Sequence, residues 1–163
     1  MLIDRIENLI KGTKEETIMK NMIVGAFANE LICKGCPHRS EREEPFMAVQ
    51  IQVKDKPTIQ EGLDAFVEGE MLEGDNAYFC EKCDKKRDTL RRCTFKRLPN
   101  VLFLDLKRFE FNFDTMSKFK VNDYCEFPDV LDMKKYTQEY LKRQDLIKEM
   151  EEKNISYEDL DQD

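Results

Sequence analysis

Two pairs of cysteines carry the densest chemistry in this sequence. Cys33 and Cys36 form one C-x2-C turn and Cys80 and Cys83 a second, with 43 residues between the pairs. A C-x2-C turn aims two sulfurs at one point, and two such turns complete a tetrahedral shell of thiolates with Zn–S distances of about 2.3 Å. Gly35 lets the first turn take a left-handed residue cheaply. Closing a loop this long costs roughly 4 kcal/mol, whereas a structural zinc contributes on the order of 10–16 kcal/mol in small peptides. The metal wins. A filled four-thiolate shell has no open position, so the expected Zn2+ is structural rather than catalytic. Lys34, Arg39, Lys82, Lys85 and Lys86 lie close in sequence and are the expected counter-charges to the negative centre.

The remaining reactive residues are sparse. Cys93 and Cys125 stand alone and read as small strand or core residues, because a thiol nucleophile needs a neighbouring base to become thiolate. The only histidine, His38, falls two residues past Cys36 and belongs at the rim of the knuckle. No carboxylate pair is spaced for acid–base work, and no glycine-rich loop could cradle a phosphate.

Several elements must position these groups. Leu2, Ile3, Ile6, Leu9 and Ile10 recur at helical spacing and Gly12 follows as a C′ residue. Thr13 with Glu16 reads as a capping box opening a second helix through Ile18, Met22 and Ile23. The apolar Leu31–Ile32 leads into Cys33. Met47, Val49, Ile51 and Val53 alternate with polar residues as a strand with one buried face. Thr58 and Glu61 cap a helix over 58–68 with the stripe Ile59, Leu63, Phe66 and Val67. Gly74–Asp75–Asn76 marks a turn. Residues 89–98 read as a polar strand and 101–106 as a strand covered on both faces. Phe109, Phe111 and Phe113 alternate before a loop at 114–117, and core packing is the expected use of two of the three. Phe127–Pro128 ends a further strand. From Tyr136 the periodicity is thin, so the rest reads as a solvated helix or a disordered extension.

Composition sets the class. With 163 residues, 40% hydrophobic, the chain can bury a real core. No apolar run is long enough to suggest a membrane span. Asp4 and Glu7 among the first ten residues do not suit a signal peptide, so a reducing compartment, cytoplasmic or nuclear, is expected. The net charge of −7 is unevenly spread: residues 41–79 hold ten acids and three bases, residues 81–97 three acids and eight bases. The acidic block suits either a partner with a basic face or plain solvation. The basic run from Lys82 to Arg97, with Phe95 inside it, leaves a zinc-ribbon binding module, for nucleic acid or protein and without enzymatic activity, as the alternative reading. The acidic total makes nucleic acid the less expected partner.

The linear order is more specific than the knuckle. Cys33-Lys-Gly-Cys36 is followed by Ser40 and Glu44-Pro45-Phe46. Glu70-Met-Leu-Glu-Gly74 then precedes Asn76-Ala-Tyr78-Phe-Cys80-Glu-Lys-Cys83. Leu98-Pro99-Asn-Val-Leu102, Leu106-Lys-Arg-Phe109, Lys120-Val-Asn122, Phe127-Pro128 and Leu131-Asp132 complete the series. Over about residues 15–136 this resembles the ubiquitin-specific protease family, particularly its fat-facets-type members. The resemblance implies an α+β fold: a papain-like cysteine protease fragment, with antiparallel β fingers bearing a four-cysteine zinc ribbon, palm strands and a helical N-terminal segment. It implies the end of the thumb and crossover helices at 1–32, zinc-binding fingers at 33–95 and palm strands at 96–136, with a blocking-type loop at about 110–120. An acidic helical or disordered extension follows at 137–163. It implies ubiquitin or a ubiquitinated protein as partner, with Glu70, Phe109, Phe111 and Asp114 as candidate contacts. The parent activity would be thiol-dependent hydrolysis of isopeptide bonds at the ubiquitin C-terminus. The family's catalytic cysteine and histidine boxes match nothing here, and Asp105 stands where the family often has another residue. The resemblance therefore implies that this chain alone is inactive.

Overall fold

The computed structural model describes residues 2–152. In chain order the elements are helices α1 (Leu2–Ile10) and α2 (Lys14–Ile23), strands β1 (Gly25–Cys33), β2 (Arg39–Phe46) and β3 (Ala48–Gln52), and helix α3 (Ile59–Glu68). Strands β4 (Glu70–Leu72), β5 (Tyr78–Cys80), β6 (Lys85–Arg87), β7 (Thr89–Arg97), β8 (Phe103–Lys107), β9 (Phe109–Asn112) and β10 (Ser117–Lys120) follow, and α4 (Gln138–Glu152) closes the series. The expected capping box at Thr13 forms differently. Thr13 Oγ1 donates to the Ile10 carbonyl at 2.7 Å, closing α1, and Glu16 accepts from the Gly12 N–H at 2.6 Å. Leu9, Ile18 and Met22 stay exposed on these helices.

The segment 1–32 is not all helical. Its last quarter, from Gly25, belongs to β1, one of the two central strands of an antiparallel four-stranded sheet ordered β2-β1-β7-β4. β1 hides from periodicity because its inward residues at 26, 28, 30 and 32 include the charged Glu30, only 3% exposed. β2 hides because it is an edge strand with every residue but Phe46 exposed, so Arg39 to Glu44 show no alternation; charges on an edge also discourage unwanted pairing.

The core lies where this sheet meets α3 and a second, parallel pair. β3 lies beside β8 with Val49 opposite Leu104 and Ile51 opposite Leu106. Ile59, Leu63 and Val67 of α3 bury against Val49 and Ile51, with Phe46, Phe95 and Tyr136 completing the cluster. Here the capping box forms as expected, Thr58 Oγ1 accepting from the Glu61 N–H at 3.2 Å. Phe27 and Phe46 stack at 4.0 Å and Phe95 meets both edge-on, a geometry favoured by ring quadrupoles.

Three expectations fail. β8 is not covered on both faces: Phe103, Asp105 and Lys107 are exposed, while Leu104 and Leu106 of the other face pack against the core. No strand ends at Phe127; residues 121–128 are irregular apart from a bridge between Thr58 and Glu126. The 137–163 segment is not a solvated extension over its first part, since α4 docks on the sheet. Arg92 of β7 reaches Asp145 at 2.7 Å and Glu30 at 2.8 Å, Gln138 bonds Glu30 and Glu41, and Arg39 bonds Glu149. Charged contacts, invisible to apolar periodicity, hold this helix. Residues 153–163 lie outside the described range.

Candidate metal centre and flanking surfaces

The knuckle forms at one end of the four-stranded sheet. β1 delivers Cys33, and the chain turns back through Gly35 (φ 69°) into β2. The Cys33 N–H donates to the His38 carbonyl at 3.1 Å and the Lys34 N–H to the Asp88 carbonyl at 2.7 Å, tying the first turn to both neighbouring segments. The β5–β6 hairpin supplies the second turn, closed by the Cys83 N–H to the Cys80 carbonyl at 3.1 Å and by Asp84 in the left-handed region (φ 51°).

The sulfurs of Cys33, Cys36 and Cys80 lie within 4.8 Å of one another, and Cys36 and Cys80 stand 3.9 Å apart. Cys83, on the turn after Cys80, falls outside the mutually close set. So three of the four expected ligands converge and the fourth flanks them. All six cysteines are free thiols, and Cys33 and Cys80 are buried.

Polar groups surround the sulfurs. His38 Nδ1 is 3.1 Å from Cys80 Sγ, and Thr89 Oγ1 is 3.6 Å from Cys33 Sγ. Burial pushes the Cys80 thiol up, but the His38 bond and the backbone N–H groups of Cys83 and Lys82 outweigh it and hold it down to about 6. Cys83 is pushed the other way, first by its bond to Cys36, with the Arg87 guanidinium pulling it down. The donor set fits a thiophilic metal: a soft thiolate cluster is what Zn2+ selects. A further sign of fit is Arg87 Nε, buried with no hydrogen-bond partner among the described residues. A metal-bound thiolate is an acceptor such a donor lacks.

Two of the basic residues nominated from sequence are engaged elsewhere. Lys86 donates to the Asp75 carbonyl at 2.9 Å and Arg39 pairs with Glu149 at 3.0 Å. His38, expected only at the rim, touches a sulfur. Sequence reasoning does not single out Arg87 at all; its signal is the hairpin register that sets it opposite Tyr78, beside the turn.

The candidate ubiquitin contacts do not gather at one point. Glu70 is on the short edge strand β4, paired with Arg91 at 2.7 Å. Phe109, Phe111 and Asp114 are on the separate β9–β10 hairpin, where the Asp114 N–H donates to Asn112 Oδ1 at 2.8 Å. Phe109, Phe111 and Phe113 are all exposed, against the expected burial of two. Phe111 and Phe113 meet edge-on at 5.2 Å.

Neither a catalytic thiol nor a nucleic-acid face stands out among the described residues. Burial, with Glu44 and Glu30 nearby, pushes the Cys93 thiol up to about 11, the wrong direction for a nucleophile. The lone imidazole is committed to Cys80. In the basic run, Arg91, Arg92 and Lys96 pair with acids, Arg97 donates to the Val24 carbonyl, and Phe95 is fully buried. A stacking platform needs an exposed ring.

Residues 1–153 match the family model described as "Ubiquitin carboxyl-terminal hydrolase". The sequence is 42% identical over 136 residues to "Ubiquitin carboxyl-terminal hydrolase 9Y" of Homo sapiens, covering 83% of this chain and 5% of that protein. It is 40% identical over 136 residues to "Probable ubiquitin carboxyl-terminal hydrolase FAF" of Drosophila melanogaster, with the same shares. The chain thus spans about a twentieth of the length of these relatives. Among solved structures, the fold is similar to that titled "Structure of the SAGA Ubp8/Sgf11/Sus1/Sgf73 DUB module bound to ubiquitin aldehyde". The TM-score is 0.73 at 30% identity, over 84% of this chain and 31% of that one. Among the described residues no helix is long and apolar enough to cross a membrane.

Proposed function

The chain belongs to the ubiquitin carboxyl-terminal hydrolase family, and from that premise we propose that it forms the zinc-stapled fingers and part of the palm of a thiol-dependent deubiquitinase. The observation that carries the proposal is the meeting of Cys33, Cys36 and Cys80 at the end of the antiparallel sheet, in a fold similar to a module whose title has it bound to ubiquitin aldehyde. Cys33, Cys36, Cys80 and Cys83 hold Zn2+, which supplies rigidity at the tip and no reaction chemistry. The fingers begin at Gly25 rather than Cys33, because β1 is one continuous strand. The β9–β10 hairpin is the blocking-type loop.

In this reading the residues here grip ubiquitin and align its C-terminal tail. The exposed rings of Phe109 and Phe111 give the tail an apolar flank, and Asp114 at the turn and Glu70 on β4 offer carboxylates to basic side chains. The thiolate and imidazole for isopeptide hydrolysis come from outside this chain, because its only histidine is engaged at the metal centre and Cys93 is held protonated at neutral pH. Metal binding by thiolates suits a reducing compartment, cytoplasmic or nuclear.

The test titrates isotope-labelled ubiquitin with the full chain in its zinc-loaded form. Saturable shifts with Kd in the micromolar range or weaker are expected, lost in F109A/F111A and little changed by moderate salt. No turnover of a fluorogenic ubiquitin substrate is expected. Turnover abolished by thiol alkylation, or absence of ubiquitin binding with zinc in place, overturns the reading.

A further inference from the structure

The centre at the sheet end is more than its four sulfurs. A metal-bound thiolate has lone pairs and no proton, so it can only accept hydrogen bonds, and outer-shell donors fix and tune the ligands they touch. Two side chains offer N–H groups there. His38 is half-buried, with Nδ1 3.1 Å from Cys80 Sγ. Its own carbonyl is bonded by the Cys33 N–H at 3.1 Å, so the residue is anchored to one cysteine turn by its backbone and to the other by its ring. The Arg87 guanidinium lies 3.6 Å from where a Cβ on Gly35 would stand, and keeps Nε buried without a partner among the described residues; β6 carries it from the hairpin that bears Cys80 and Cys83. It therefore also bridges the two turns. Of the nearby lysines, Lys86 is spent on the Asp75 carbonyl.

We propose that His38 and Arg87 are the outer-shell donors of the thiolate centre, His38 clamping Cys80 and Arg87 offering its buried N–H where the second hairpin meets the Gly35 turn, and that this pair sets how tightly the metal is held. The inference rests on the zinc reading above and adds two positioning residues to it. With Nδ1 as donor, His38 presents its N–H to sulfur rather than a lone pair to the metal, so the inner shell stays all-sulfur.

The experiment measures zinc affinity of the full chain by competition with a chromophoric chelator and records the cobalt-substituted spectrum. The variants are H38A, H38N, R87M and R87K. H38A and R87M are expected to bind zinc about 10–100-fold more weakly. H38N, whose amide N–H can take the place of Nδ1–H, should recover most of the loss, whereas R87K keeps the charge but not the planar fork and should recover little. The cobalt spectrum of the wild type and of H38A should share one four-sulfur charge-transfer pattern. A wild-type spectrum of three sulfurs and one nitrogen that changes in H38A would make His38 an inner ligand and overturn the proposal. Wild-type affinity in both H38A and R87M would overturn it too. Failure of the wild type to bind zinc is a separate result, removing the metal reading itself. Thermal melts of the zinc-loaded variants identify any that does not fold, and H38N then carries the decision for His38.

Discussion

Arg92 is the residue whose loss the fold should feel most directly. Its side chain is 5% exposed and that of Glu30 is 4% exposed. Nε bonds Glu30 at 2.8 Å, and the two terminal nitrogens hold Asp145 of α4 at 3.3 and 2.7 Å. At about 4 Å and an effective dielectric near 20, one such charge pair gains roughly 4 kcal/mol, but taking both ions out of water removes much of that. The net worth of the intact pair is therefore small, while the cost of halving it is large. R92L leaves Glu30 buried and charged, and truncating one partner of a buried pair costs about 3–5 kcal/mol. Gln138 at 3.0 Å and Lys142 at 3.7 Å still face Glu30, so the lower end, about 3 kcal/mol, is expected. That is a large part of a typical total of roughly 5–15 kcal/mol. The double variant E30L/R92L fills the same space without charge and should return to within about 1 kcal/mol of wild type. Urea unfolding followed by far-UV circular dichroism reads both, and amide exchange should show α4 loosening in R92L. A loss under about 1 kcal/mol for R92L, or a double variant at least as damaged as the single, would refute the reasoning.

Three shorter predictions follow from other contacts. Bonds from Lys96, Lys142 and Gln138 outweigh partial burial and hold the Glu41 carboxyl down to about 2, against an ordinary 4.5. A depressed carboxylate contributes stability that is complete above about 4.5 and disappears as the pH falls toward 2. Acid titration of the unfolding midpoint should lose roughly 1 kcal/mol there after solvent screening, and E41Q should remove that part of the slope. Gly62→Ala would set a Cβ 2.3 Å from Ile51 Cγ2 and 2.9 Å from the Gln52 carbonyl oxygen. The overpacking should cost about 1–3 kcal/mol in denaturant melts despite the better helix propensity. F109A/F111A should change stability by no more than about 0.5 kcal/mol, since both rings face solvent, so any loss of ubiquitin binding in that variant is a surface effect.

What the sequence discloses follows from which signals are local. The C-x2-C pairs, the Thr58–Glu61 cap and the Val49, Ile51, Val53 alternation each rest on residues a few positions apart; the cap and the buried alternation are found in the structure, and of the four cysteines Cys33, Cys36 and Cys80 converge. β1 and β2 escape such reading because their side chains break the expected alternation: β2 is an exposed edge, and in β1 the charged Glu30 is buried by Arg92 of β7, 62 residues away. Exposure of the Phe109–Phe113 rings is equally illegible. Alternating aromatics signal a strand face, but whether the face meets a core depends on which strands lie beside it, and β9 pairs only with β10 among the described residues. The donors at the sulfurs show the same limit. Proximity in sequence favours the lysines, whereas the turn before β2 brings His38 to Cys80 and the β5–β6 hairpin carries Arg87.

The uneven charge has a structural use that its reading as a partner surface overlooks. Glu41 and Glu43 of the acidic block lie at 2.7 and 3.1 Å from Lys96 of the basic run, Glu70 of the former meets Arg91 of the latter at 2.7 Å, and Asp64 holds Lys135 at 2.8 Å. β2 and β7 flank β1 on either side and β4 lies antiparallel beside β7, so opposite charges in sequence are brought together in the sheet. Exposed pairs of this kind contribute little each, about 0–1 kcal/mol, and they leave little field for steering a basic partner. Under the proposed reading, ubiquitin is met by the exposed aromatic hairpin more than by these paired charges, which is why the binding expected of it is weakly sensitive to salt. The buried exception, Arg92 between Glu30 and Asp145, works in the opposite sense: it binds no partner and instead fixes α4 to the back of the strands that carry the cysteines.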